Sequence, residues 1–102
     1  MNWVRVCSKY DLKEGEVVSI DLDGRQLMLI VQNGIIYALD RICTHMDADL
    51  SMGFLAEGQI TCPLHLSSFR LEDGVALNPP AERPLRRYNV KIDGDDIYVQ
   101  VE

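Results

Sequence analysis

Cys43-Thr44-His45 and, after a gap of 16 residues, Cys62-Pro63-Leu64-His65 bring two thiols and two imidazoles to one centre, in the pattern C-x-H-x16-C-x2-H. Each motif supplies one soft sulfur donor and one nitrogen donor. That set suits a 2Fe–2S cluster in which two imidazoles replace two thiolates on one iron. The replacement takes two negative charges off the cluster, makes an electron easier to add and raises the potential. The chemistry is one-electron transfer. Zinc is the chemical rival, because two Cys and two His form a common structural zinc set. Zinc fingers, however, pair Cys with Cys and His with His, whereas each pair here is mixed and the first is unusually short. The alternative reading is thus a structural zinc-binding or regulatory binding module with no redox role.

The chain has only two histidines, each two or three positions after a cysteine, which is not how core or surface histidines are scattered. Side chains two apart, as in Cys43 and His45, can point the same way from extended or turning backbone. Cys62 and His65 are three apart, as in a tight turn. Pro63 fixes φ directly after a donor and gives up a backbone N–H, which suits a loop bending over a cofactor.

The elements that must position these motifs are short strands. Val17–Leu22 leads to Asp23-Gly24, then Gln26–Val31, then Asn33-Gly34 and Ile35–Leu39. Asx-Gly between apolar runs predicts a hairpin, because the favoured two-residue turn needs positive φ. Asp73-Gly74 and Asp93-Gly94 repeat the signature, the latter between Tyr88–Ile92 and Ile97–Val101. Glu57-Gly58 before Gln59-Ile60-Thr61 predicts a turn and strand that return the second motif beside the first. A brief helical turn is expected at Lys9–Glu14, with Ser8 as cap and Asp11 three residues on. Asp40–Gly53 and Leu77–Pro84, the latter with three of the four prolines, read as irregular loops. The expected fold is all-β, an antiparallel β-sandwich or small barrel.

Residues 1–102 read as a single domain with 47% hydrophobic and 25% charged residues, an ordinary globular composition. No apolar stretch approaches a membrane span, and the first residues alternate like a strand rather than forming a signal segment, so a cytoplasmic location is expected. A net charge of −6 argues against nucleic acid as a partner. Residues 40–73 carry Asp40, Asp47, Asp49, Glu57, Glu72 and Asp73 against Arg41 and Arg70, a net of −4. An acidic motif-bearing region would steer a basic partner towards it. Three cysteines and no secretory signal argue against a disulfide framework; Cys7 reads as a small buried hydrophobe.

The motifs and their surroundings resemble the Rieske-type 2Fe–2S ferredoxins. Ala48, Leu50-Ser51 and Gly53 fit the continuation of the first motif, and Phe69 and Gly74 that of the second. Ser8, Asp11-Leu12 and Glu14-Gly15-Glu16 are similar to the family's opening, and Pro79-Pro80 falls at its proline loop. The resemblance implies the Rieske fold, with a cluster-binding subdomain inserted at about residues 41–77. It implies one 2Fe–2S cluster, with Cys43 and Cys62 on the inner iron and His45 and His65 on the outer, solvent-edge iron. The respiratory relatives add a loop disulfide, but Ala48 and Leu64 occupy those places here. Asp47 and Leu66 stand where many relatives have glycine. A chain this short lacks the catalytic domain of a Rieske oxygenase. It reads as a soluble electron carrier, not an enzyme, taking electrons from a reductase to a terminal oxygenase or other redox protein. High-potential relatives place a serine and a tyrosine two and four positions after the second histidine, both donating hydrogen bonds. Those places hold Ser67 and Phe69, which implies a low to intermediate potential within about −150 to +300 mV.

Overall fold

The computed structural model describes residues 2–22, 24–44, 48–64, 66–79 and 81–101. Along the chain run β1 (Asn2–Ser8), β2 (Val17–Leu22), β3 (Arg25–Gln32), β4 (Ile35–Asp40), β5 (Phe54–Ala56), β6 (Gln59–Thr61), β7 (Ser68–Arg70), β8 (Arg87–Tyr88), β9 (Val90–Asp93) and β10 (Asp96–Val101). They form three sheets, β1-β10-β9, β2-β3-β4-β8 and β5-β6-β7, with every pairing antiparallel. Among the described residues the helical pieces are two 3-10 turns, Lys9–Asp11 and Leu50–Met52, and no helix is long and apolar enough to cross a membrane. The expected all-β fold is present.

Local chemistry explains the hairpins. Asn33 and Gly34 have φ of 56° and 76°, as the two-residue β3–β4 turn requires. The Glu14 carboxylate accepts both of their backbone N–H groups, at 2.6 and 3.1 Å, and so fastens the turn. Ser8 caps the first 3-10 turn with Asp11 reciprocating, the expected capping box closed over a single turn.

The middle sheet is buried on both faces. Leu27 and Leu29 of β3 face a core shared with Ala38, Tyr88, Ile97 and Val99. Met28 and Ile30, pointing the other way, join Leu39, Leu50, Ile60, Phe69 and Leu71 in a second core, which also contains Cys43 and Cys62. This two-sided burial is why β3 reads as an unbroken apolar run rather than an alternating one. Each fully buried aliphatic side chain contributes roughly 1.5–3 kcal/mol, so the donor-bearing loops grow from a well-buried core. Cys7 is buried in the first core, as expected.

One expectation needs correction. The run Tyr88–Ile92 is not one strand, because it changes sheets at Asn89: Arg87–Tyr88 pairs with β4 and Val90–Asp93 with β10. Asn89 bridges the change, accepting the Gln100 N–H at 2.9 Å and donating Nδ2 to Gln100 Oε1 at 2.8 Å. Asp73-Gly74 does turn the chain back onto β7, where the antiparallel bridge Phe69–Ala76, the Arg70 N–H to Val75 O bond at 2.9 Å and the Leu77 N–H to Ser68 O bond at 2.8 Å pair residues 75–77 with it over a stretch too short to count as a strand. The expected irregular stretch 40–53 holds the bridge Ile42–Asp49 and the second 3-10 turn.

Candidate metal centre

Both cysteines open closed loops of the same length. The Cys43 N–H donates to Ala48 O at 2.9 Å, and the Cys62 N–H donates to Ser67 O at 2.7 Å. Each loop therefore spans six residues, with positions 45 and 65 inside. His45, Met46, Asp47, His65 and Pro80 lie outside the described residues, as do Met1, Asp23 and Glu102. The two thiols the sequence singled out do come together. Cys43 and Cys62 are 4% and 0% exposed, and their side chains lie within hydrogen-bonding reach of each other.

The setting of Cys62 is electrostatically informative. Burial pushes its thiol pKa up; the nearby Leu64 backbone N–H opposes this, and the adjoining Cys43 thiol adds to the rise. Two sulfurs held together in an apolar pocket repel each other as bare thiolates. A shared cation removes that conflict, so the pair fits a bound metal. None of the three cysteines is in a disulfide.

Ser67 and Phe69 are both fully buried in the second loop and the strand that leaves it. Ser67 Oγ accepts the Ala81 N–H at 3.1 Å. The neighbouring Ser68 turns its hydroxyl to Thr61 Oγ1 at 2.8 Å, so Ser67 is the serine that faces the interior. Leu66 has φ of 58°, a left-handed conformation uncommon for a bulky side chain and easy for glycine.

Several site residues carried no local signal. Arg41 is 6% exposed; its Nη2 donates to Asp21 Oδ1 on β2 at 2.9 Å, while Nε lies 3.4 Å from Asp49 Oδ2 outside hydrogen-bond geometry. It ties the first loop to the middle sheet. Gln32 does the same for the β5–β6 hairpin, donating to Ala56 O at 2.8 Å and accepting the Gly58 N–H at 2.6 Å. Thr44 and Arg83, 39 positions apart, form a reciprocal pair: Thr44 Oγ1 donates to Arg83 O at 2.7 Å, and Arg83 Nη2 donates to Thr44 O at 3.3 Å. Asn78 brackets the second loop, accepting the Ser68 N–H at 2.7 Å and donating to Leu66 O at 3.2 Å. An asparagine before a proline signals a turn, but not which distant carbonyl it reaches.

The acidic character of residues 40–73 is partly structural. Asp49 caps the Leu50–Met52 turn and pairs with Arg41; Asp40 accepts the Tyr88 hydroxyl at 2.7 Å; Asp73 pairs with Arg70 at 2.6 Å. Glu57 and Glu72 are exposed. Leu64 and Leu66, on either side of position 65, are 47% and 58% exposed and make an apolar rim at the second loop.

The family model described as "Rieske [2Fe-2S] domain" matches residues 2–89. The ferredoxin component of a naphthalene 1,2-dioxygenase system from Pseudomonas aeruginosa is 36% identical over 97% of this chain and 95% of its own length. The ferredoxin of carbazole 1,9a-dioxygenase from Nocardioides aromaticivorans IC177 superposes with a TM-score of 0.91 at 36% identity, covering 100% of both chains. A ferredoxin solved in a complex of reduced oxygenase and oxidised ferredoxin in carbazole 1,9a-dioxygenase superposes with a TM-score of 0.89 at 28% identity, covering 98% of this chain and 97% of that one.

Proposed function

Because the chain belongs to the Rieske [2Fe-2S] domain family, we propose that Cys43 and Cys62 bind the inner iron of its cluster and His45 and His65 the outer. The cofactor is one 2Fe–2S cluster, not zinc, and the chain is a one-electron carrier rather than a catalytic enzyme. The observation that carries the ligand assignment is the burial of two thiols side by side, each opening a closed loop that contains one histidine. Residues 41–77 serve as the cluster-binding subdomain of a single domain.

When bound, the cluster accepts and returns one electron, at a potential raised by its two neutral ligands. The protein's own residues do the rest. Leu50, Ile60, Phe69 and Leu71 exclude water behind the thiols, and the Leu64 N–H stabilises sulfur charge. Arg41 and Gln32 hold the loop-bearing region on the middle sheet, so little rearrangement accompanies a change of charge.

The partners we infer are a reductase as donor and the terminal oxygenase of a dioxygenase system as acceptor. The names of the similar proteins support this pairing. The apolar rim of Leu64 and Leu66 offers a face for transient docking close to the second histidine. A cytoplasmic location fits three cysteines outside any disulfide.

Stopped-flow spectroscopy tests the reading. The loaded chain should bleach on mixing with a reduced dioxygenase-system reductase and recover its colour on mixing with oxidised terminal oxygenase. A colourless, zinc-loaded chain, or a coloured one that exchanges electrons with neither protein, would overturn it.

A further inference from the structure

Each ligand loop closes on itself through its own backbone hydrogen bond, Cys43 to Ala48 and Cys62 to Ser67. Neither bond ties one loop to the other. Four donors must nevertheless stay in register around one small cofactor, and no disulfide does this. One short stretch of chain touches both loops. On the second loop, Asn78 accepts the Ser68 N–H at 2.7 Å and donates to Leu66 O at 3.2 Å, and the Ala81 N–H donates to Ser67 Oγ at 3.1 Å. The Leu77 N–H adds a bond to Ser68 O at 2.8 Å. On the first loop, Arg83 exchanges two hydrogen bonds with Thr44, the residue between Cys43 and His45. The stretch is itself anchored behind the site, where the Leu85 N–H donates to Gly74 O at 2.8 Å.

We propose that Asn78, Ala81 and Arg83 form a hydrogen-bonded strap that couples the two ligand loops, with Asn78 and Arg83 as the positioning residues at its ends. The strap fixes Leu66 in its left-handed conformation on one side and the Thr44 peptide on the other. Each is adjacent in sequence to one of the two histidines, so the strap holds the described backbone beside both. The coupling does not depend on thiol oxidation, and a carrier built this way keeps its loops joined in a reducing compartment. The proposal rests on the four-ligand assignment above.

The test uses the cluster-loaded full chain in four forms: Thr44→Val, Asn78→Ala, the double variant, and Thr44→Ser, which keeps the hydroxyl. Starting iron per chain reports the ligand assignment, while the strap is read separately. Hydrogen exchange by mass spectrometry follows the loop opposite each change. Thr44→Val should speed exchange in the peptide holding the Ser68 and Ala81 amides, and Asn78→Ala should speed it at the Cys43 amide, each by roughly three- to tenfold. Loss of visible colour to an iron chelator should quicken similarly in each single variant. In the double variant it should be slower than the product of the two effects, because either change alone uncouples the loops. Thr44→Ser should stay near the parent. Opposite-loop exchange unchanged in both single variants, or fully multiplicative cluster loss, would show separate local contacts and overturn the strap.

Discussion

Ser67 Oγ accepts the backbone N–H of Ala81 at 3.1 Å in a fully buried position. With one lone pair so engaged, the hydroxyl proton is left to donate into the buried side of the loop that begins at Cys62. A donor aimed at cluster sulfur favours the more negative, reduced form and raises the potential. Ser67→Ala should lower the midpoint potential by about 20–60 mV, taking a differential hydrogen-bond energy of about 0.5–1.5 kcal/mol. Phe69→Tyr should raise it if the new hydroxyl reaches sulfur. Voltammetry on both variants decides; an unmoved potential in Ser67→Ala makes Ser67 only a link to Ala81.

Loss of a ligand should cost the fold as well as the colour. Binding to the native state alone stabilises it by mass action, about 2.7 kcal/mol at 100 times the dissociation constant. Cys43→Ser and His65→Ala should therefore bind little iron and sulfide. At about 4–8 °C per kcal/mol, both should melt roughly 10 °C or more below the parent. Normal iron content in both variants would contradict the assignment.

Backbone conformation makes two opposite expectations at neighbouring loops. Leu66 is 58% exposed with φ of 58°, so Leu66→Gly should relieve strain at little cost in packing and stabilise by about 0.5–1 kcal/mol. At Gly74 a Cβ would lie 2.2 Å from Leu85 O, while at Gly24, also with positive φ, it would meet nothing within 4 Å. Gly74→Ala should thus destabilise well beyond Gly24→Ala, by at least about 2 kcal/mol more. Denaturant melts of the three loaded variants check the order.

Charge steering should fall to the exposed acids rather than to the paired ones. Glu57→Lys with Glu72→Lys should slow reduction at low salt, leave the potential nearly unchanged, and converge with the parent as salt rises. Asp49→Lys is not a clean probe, because Asp49 caps the Leu50–Met52 turn and faces Arg41. Rates equal at every salt concentration would remove steering from the picture.

What could be read from the chain follows from the range of the forces involved. Hairpins at Asn33-Gly34 and Glu57-Gly58 are local, since positive φ and glycine decide them within two residues. The donor motifs are local too, and the pairing of Cys43 with Cys62 follows from their chemistry. The sheet change at Asn89 was not legible, because alternation continues through it while the hydrogen-bond partner switches from β4 to β10. The Thr44–Arg83 pair and the Asn78 bracket join residues brought near only by the fold, so nothing in their own neighbourhoods announces them. Asp49 did leave a signal, an acid two residues before Ser51 that suits a cap, but its charge drew it into the steering group instead.

Nitrogen ligation is the claim on which the carrier's raised potential depends. The chain has two histidines, so labelling histidine alone with ¹⁵N marks only His45 and His65. Pulsed electron paramagnetic resonance of the reduced, labelled protein should show two ¹⁵N couplings strong enough for directly bound imidazole. A reduced cluster with no histidine nitrogen coupled to it would contradict the ligand assignment and the electron path through the outer iron.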